Sequence, residues 1–169
     1  MQRNLNFVIT LFLGGLLLGV TDAALAQTTA FNAGIMGHIT RPSGGCASGA
    51  HLCGGTVIEG FGAAEYGIVF LSFVPTSNDC GNYGASTTFT LGDGSVLTLG
   101  EVGVSCGPGG SFLHGPPFTA FGNPRTFSGS WQVQGATGQF ERLVGGGTDA
   151  GLTAGAAVHA TYRGTLTRQ

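Results

Sequence analysis

The chain has 169 residues, a formal net charge of −2 and only 8% charged residues, where about a quarter is usual for a soluble domain. Its six basic residues are all arginines. Scattered in this way they exclude nucleic-acid binding and polybasic membrane contact, both of which need clustered cations. Glycine, at 33 residues, far exceeds its usual ~7%, yet 12 phenylalanines and many β-branched residues set the chain apart from disordered sequences.

Arg3 precedes an apolar stretch from Phe7 to Val20, and Ala24-Leu25-Ala26 supplies the small-x-small pattern that signal peptidase reads. Residues 1–26 are therefore predicted to be a signal peptide, and residues 27–169 a single β-barrel domain, secreted to the periplasm or the extracellular space. The stretch falls short of the roughly 20 apolar residues a spanning helix needs, and Asp22 ends it. No second run of spanning length follows. Arg3 and Asp22 leave with the peptide, so the net charge of the mature chain stays at −2.

Beyond residue 26 no stretch carries an apolar period of 3.6, and glycine punctuates runs of alternating polarity. A strand is expected around Phe31–Thr40, then a loop over Pro42–Gly55 and a strand at Thr56–Glu59. Gly60-Phe61-Gly62 makes a bend, and Ala64–Val74 a long strand. Tyr66, Ile68 and Phe70 occupy one face of that strand and Val69, Leu71 and Phe73 the other. Apolar residues on both faces call for cover on both, which predicts a homo-oligomer. Thr76–Ala85 reads as a loop around Cys80.

Thr87–Leu91, the turn Gly92-Asp93-Gly94-Ser95 and Val96–Leu99 read as a β-hairpin. Residues 107–126 read as a long glycine- and proline-rich loop. In Phe127–Gly135, Phe127, Trp131 and Val133 share one face of a half-buried strand. A turn, the segment Gln139–Val144, a loop over Gly145–Gly151 and a last strand near Gly155–Thr165 complete the chain. On that strand Ala156, Val158, Ala160 and Tyr162 face one way, and Ala157, His159, Thr161 and Arg163 the other. Seven or eight short strands joined by glycine turns indicate an all-β sandwich or antiparallel barrel.

Four cysteines permit three pairings. With the hairpin turn centred between Asp93 and Gly94, cross-strand partners have numbers summing to 187. Cys80 and Cys106 miss this by one, an offset that a single bulge absorbs. The geometry therefore favours a Cys80–Cys106 bridge, leaving Cys46 to pair with Cys53. Neither spacing suits zinc, and export favours oxidation.

The run FSGSWQVQGATGQF from Phe127 to Phe140, Gly145 and the closing YRGTL from Tyr162 resemble secreted bacterial proteins related to the allene oxide cyclase and dirigent barrels. The Cys46, Cys53, Phe61-Gly62 block and the Cys80–Cys106 hairpin are similar to an uncharacterised bacterial subgroup of them. The resemblance implies an eight-stranded antiparallel barrel with a central cavity, often trimeric. Its motifs are mostly turn glycines, and the acidic and arginine site residues of those families match no position here.

Candidate chemistry is sparse. His159 and Arg163 flank Thr161 on one strand face. There an imidazole could move a proton and a guanidinium could hold an anion if the face lined a cavity; facing solvent, both would be ordinary surface residues. Glu65, set among apolar residues, would be a general acid if buried and a satisfied edge carboxylate otherwise. Glu59, Glu101 and Glu141, beside turns or strand ends, read as solubilising charge. His38, His51 and His114 lack ligand spacing, so no metal and no cofactor is expected. The leading expectation is a binding or structural barrel for an apolar or aromatic small molecule. A cyclase- or isomerase-type enzyme and an interaction protein without ligand are the alternatives, and the balance leans away from catalysis. Peptide mapping of the exported protein without reduction is expected to give an N-terminus at Gln27 and the two bridges Cys46–Cys53 and Cys80–Cys106.

Overall fold

Strict alternation of inward and outward side chains lets a sheet close on itself, provided one face of every strand suits a narrow interior. In the computed structural model, which describes residues 27–38, 46, 49–77, 79–107, 124–154 and 157–169, eight strands meet this condition. They are β1 (Thr28–His38), β2 (Leu52–Ile58), β3 (Gly62–Pro75), β4 (Cys80–Leu91), β5 (Val96–Cys106), β6 (Arg125–Ala136), β7 (Leu143–Ala154) and β8 (Ala157–Arg168). Each pairs antiparallel with its neighbour in sequence, and β8 pairs with β1 to close the barrel. The predicted signal peptide, His114 and most of the predicted 107–126 loop lie outside the described residues.

Burial follows the alternation. Phe31, Ala33 and Ile35 of β1, Phe89 and Leu91 of β4, Leu97 and Leu99 of β5, Trp131 of β6 and Tyr162 and Leu166 of β8 face inward and form one core. Phe31 contacts Phe89 on the far side of the barrel at 5.8 Å and Trp131 at 5.1 Å, ring centre to ring centre. No helix among the described residues is long and apolar enough to cross a membrane.

Glycines in the wall make this interior fit. The Tyr83 ring lies along the sheet over its cross-strand neighbours Gly103 and Gly129, 2.7 and 2.6 Å from where their Cβ atoms would be. Trp131 likewise covers Gly147 and Gly164, and Tyr66 covers Gly54 and Gly37. An aromatic laid over glycines fills the volume that two ordinary side chains would occupy (the aromatic-rescue arrangement of β-sheets).

The two bridges join the predicted cysteines. The hairpin register sums to 186 throughout, so Cys80 and Cys106 are direct partners and no bulge is needed between them. Gly94, at φ 83°, takes the left-handed position of the turn.

Several predicted boundaries are corrected. β2 begins at Leu52, inside the expected Pro42–Gly55 loop, and ends at Ile58, because it pairs with β3 from Leu52↔Ile68 to Ile58↔Gly62. β4 begins at Cys80 rather than after Ala85, because the bridge, Arg125 and the bond from Gly107 N to Asp79 O (2.8 Å) hold its start against β5. Gly145–Gly151 is strand, not loop: those glycines admit Trp131, Phe127 and the β8 backbone at close range. Gln139–Val144 divides into a 3-10 turn, Gly138–Phe140, and the start of β7.

The faces of β3 also differ from expectation. A bulge between Phe70 and Ser72 shifts the register, so Phe73 turns inward beside Phe70. Leu71 (66% exposed) and Val74 (60%) stay outside. His51 braces the bend, its Nδ1 accepting from Phe70 N at 3.0 Å. Across the sheet, Val74 and Val104 flank Asn82, and Val102 lies beside Gly84. No outward position of β4, β5, β6 or β7 is charged.

Gly147→Ala, which forces a Cβ against Trp131 and the Arg163 carbonyl, is expected to cost about 1–3 kcal/mol in chemical denaturation. Gly55→Ala, whose Cβ would meet nothing within 4 Å, is expected to be neutral or to stabilise by up to about 0.5 kcal/mol.

Candidate functional site

Within the barrel the alternation that buries Leu97 and Leu99 brings Glu101 inward as well, and it is 5% exposed. Tyr162 Oη, from β8, approaches both carboxylate oxygens at 3.1 and 3.2 Å, and Thr87 Oγ1, from β4, lies 3.1 Å from the same phenol. Asp149, 1% exposed, is the direct cross-strand partner of Tyr162. Its Oδ2 accepts a short hydrogen bond from Tyr83, whose ring reaches it across Gly103 and Gly129. Asp149 Oδ1 is buried with no hydrogen-bond partner.

Two carboxyl groups, two phenols and a threonine hydroxyl thus converge from β4, β5, β7 and β8 inside an aromatic shell. Tyr162 packs edge-on against Phe89 at 5.7 Å, and Tyr83 against Phe127 at 6.2 Å. Burial pushes Glu101 up to about 7; the Asp149 charge adds to this, and the hydrogen bonds from Thr87 and Tyr162 oppose it. Burial also raises Asp149, against the opposing bond from Tyr83. Both phenols are driven upward, first by burial and then by the neighbouring carboxylates, so they remain donors at any physiological pH.

Chemically, the site can hold or deliver a proton near neutrality through Glu101. It can also offer fixed O–H donors to an acceptor and carboxylate oxygens to a donor.

The residues singled out in the sequence lie elsewhere. Glu65 is exposed on the outer face of β3, opposite Gly55 and Thr90. His159 and Arg163 are exposed on the outer face of β8. Arg163 borders an open external groove with Asn32, Gly34, Val57, Glu59 and Thr161. The structure brings none of the three together with Glu101 or Asp149.

Glu101, read as solubilising charge, is the opposite. The parity of the hairpin held the signal: Leu97, Leu99 and Glu101 occupy successive positions on one face. Asp149 was hidden by the assignment of Gly145–Gly151 to a loop. Comparison with protein families, curated proteins and solved structures finds no match for this chain. The site therefore stands on its own geometry, and the two disulfides fit an oxidising compartment.

A carboxyl whose folded pKa is raised binds its proton more tightly in the folded than in the unfolded chain, so stability is greatest below the unfolded value and falls as pH rises towards the folded one. For Glu101, shifted from 4.5 to about 7, the loss between pH 4.5 and pH 8 is expected to be about 3 kcal/mol. Urea denaturation across that range should show it, and Glu101→Gln should remove most of it. A profile as steep in the variant as in the wild type would place the titration elsewhere.

Proposed function

We propose that the protein is an exported barrel that holds an apolar or aromatic small molecule in its interior, against Glu101, Tyr162, Thr87, Tyr83 and Asp149. The observation that carries this reading is a group of polar side chains buried amid aromatic rings. Such a group adds nothing to a packed core that leucines would not supply, and it costs desolvation. A few convergent polar groups on an apolar wall is how small-molecule sites fix orientation. The resemblance of Phe127–Phe140 and the closing strand to the allene oxide cyclase and dirigent barrels points the same way, as analogy of fold. The predicted signal peptide and the two disulfides support secretion.

A second reading, a cyclase- or isomerase-type enzyme, is favoured by one specific feature: Glu101 titrates near neutrality and so could give and take a proton within one cycle. The charge-free outer wall of β4–β7, with Leu71, Val74, Val102 and Val104 exposed beside it, supports a homo-oligomer.

Native mass spectrometry of the protein purified from its own host, beside a denatured sample, tests these points together. The expected spectrum shows an oligomer carrying an extra small-molecule mass per subunit that is lost on denaturation. Bare protein would instead support a structural or interaction role, and a bare monomer would also remove the oligomer.

A further inference from the structure

Glu101 and Asp149 face the same interior from β5 and β7, and no basic side chain among the described residues meets them there. The chain contains no lysine. Arg125, the inward-facing arginine, is held at the barrel end by the carbonyls of Asp79, Ser105 and Gly107. Arg142 lies in the turn before β7, and Arg163 and Arg168 face outward. The charge that bears on Glu101 is that of Asp149, of the same sign.

What surrounds the pair is aromatic. Trp131 stands directly opposite Glu101 in register and Tyr162 opposite Asp149, while the Tyr83 ring spans the strands between. Their other inward neighbours include Ala85 and Ala33, among the smallest side chains available. Asp149 Oδ1, buried and unpartnered, lies over Gly129, 2.9 Å from where a Cβ would stand. The two phenol donors already serve Glu101 and Asp149 Oδ2, so Oδ1 is left without a donor and the pair without a positive charge, amid aromatic rings.

We infer that the ligand of this interior is an organic ammonium ion, a protonated amine on an aromatic or apolar body. This rests on the reading of the barrel as a small-molecule binder and specifies the charge of its ligand. An N–H donates to Asp149 Oδ1, Glu101 shares the charge, and the faces of Trp131, Tyr83 and Tyr162 receive the cation and its carbon body. A hard metal ion suits the donors less well, since calcium wants six to eight oxygens and the remaining walls here are carbon. A neutral alcohol would satisfy Oδ1 and leave the like charges uncompensated.

Trp131 is the chain's single tryptophan and adjoins the site, so its fluorescence reports occupancy. Benzylamine, benzyl alcohol and calcium chloride are titrated separately into the disulfide-bonded protein at pH 8, with calorimetry in parallel. Benzylammonium is expected to give a saturable change and to bind at least tenfold more tightly than benzyl alcohol. Asp149→Asn and Glu101→Gln, each with an unchanged circular dichroism spectrum, should each reduce that preference to threefold or less.

Equal binding of alcohol and amine would overturn the cationic ligand while leaving the binding barrel in place. Binding of neither would overturn both, and a calcium response that excludes the amine would replace the ammonium by a metal. The comparison of amine with alcohol on the unmodified protein decides the matter even if a variant fails to fold.

Discussion

A closed barrel of eight strands has an interior of fixed width, and every inward side chain must share it. This constraint governs the rest of the molecule. Filling such a space with branched aliphatics alone would give an ordinary leucine–valine core. Here rings run along the wall, and each needs glycine beneath it: Gly103 and Gly129 under Tyr83, Gly147 and Gly164 under Trp131, Gly37 and Gly54 under Tyr66. Much of the unusual glycine content is therefore the counterpart of the aromatic content. The two form one device, and changing either side of a pair leaves a clash or a void.

The same device positions the polar group. Tyr83 starts on β4 and finds its acceptor on β7, three strands away, because the two intervening strands present no side chain at that level. With ordinary residues at 103 and 129 the phenol would stop short and Asp149 would lose the Tyr83 donor. Glu101 depends on the neighbouring row in a similar way, since Trp131 lies back over Gly147 and Gly164 towards Phe31. Burial then sets the chemistry: two carboxyl groups taken out of water, near one another and without a cation, rise together in pKa.

What could be read in the sequence follows from where its signals are local. Alternation over Thr87–Leu99 and Phe127–Gly135 gave those strands directly, and the spacing of the central hairpin located the Cys80–Cys106 bridge to within one residue. Glycine inside β7 misled, since in isolation it signals a loop, and only the rings that cover it reveal a strand. In β3, a bulge that nothing in the local pattern marks turned Phe73 inward. The site suffered more than the fold. An acid two residues beyond Leu99 is inward by parity alone, but its company from β4, β7 and β8 comes only with closure of the barrel. His159 and Arg163 were placed correctly on one face together; that this face looks outward is settled by Val158, Ala160 and Tyr162 claiming the interior.

The two ends of the barrel are held by different means. At the end formed by the β4–β5 turn, Phe140 packs on Phe61 at 4.8 Å, and Leu91, Leu97, Leu143 and Leu166 are buried beneath. Gln139 ties that plug down, its backbone N–H donating to Ser95 Oγ and its side chain to Asp93. The opposite end carries both disulfides and the Arg125 clamp, together with apolar side chains of its own: Ile35, Leu52, Ile68 and Val158 are buried there, and Phe70, Phe73 and Phe127 pack against them. Covalent cross-links hold strand ends together without filling the space between them, whereas a plug of leucines and phenylalanines does both. Within the barrel, Phe31, Phe89 and Trp131 form a layer on the Phe140 side of Glu101, so the cluster faces the cross-linked end. Bridges and buried side chains therefore act together at that end, and the polar group lies along the barrel between its two apolar ends.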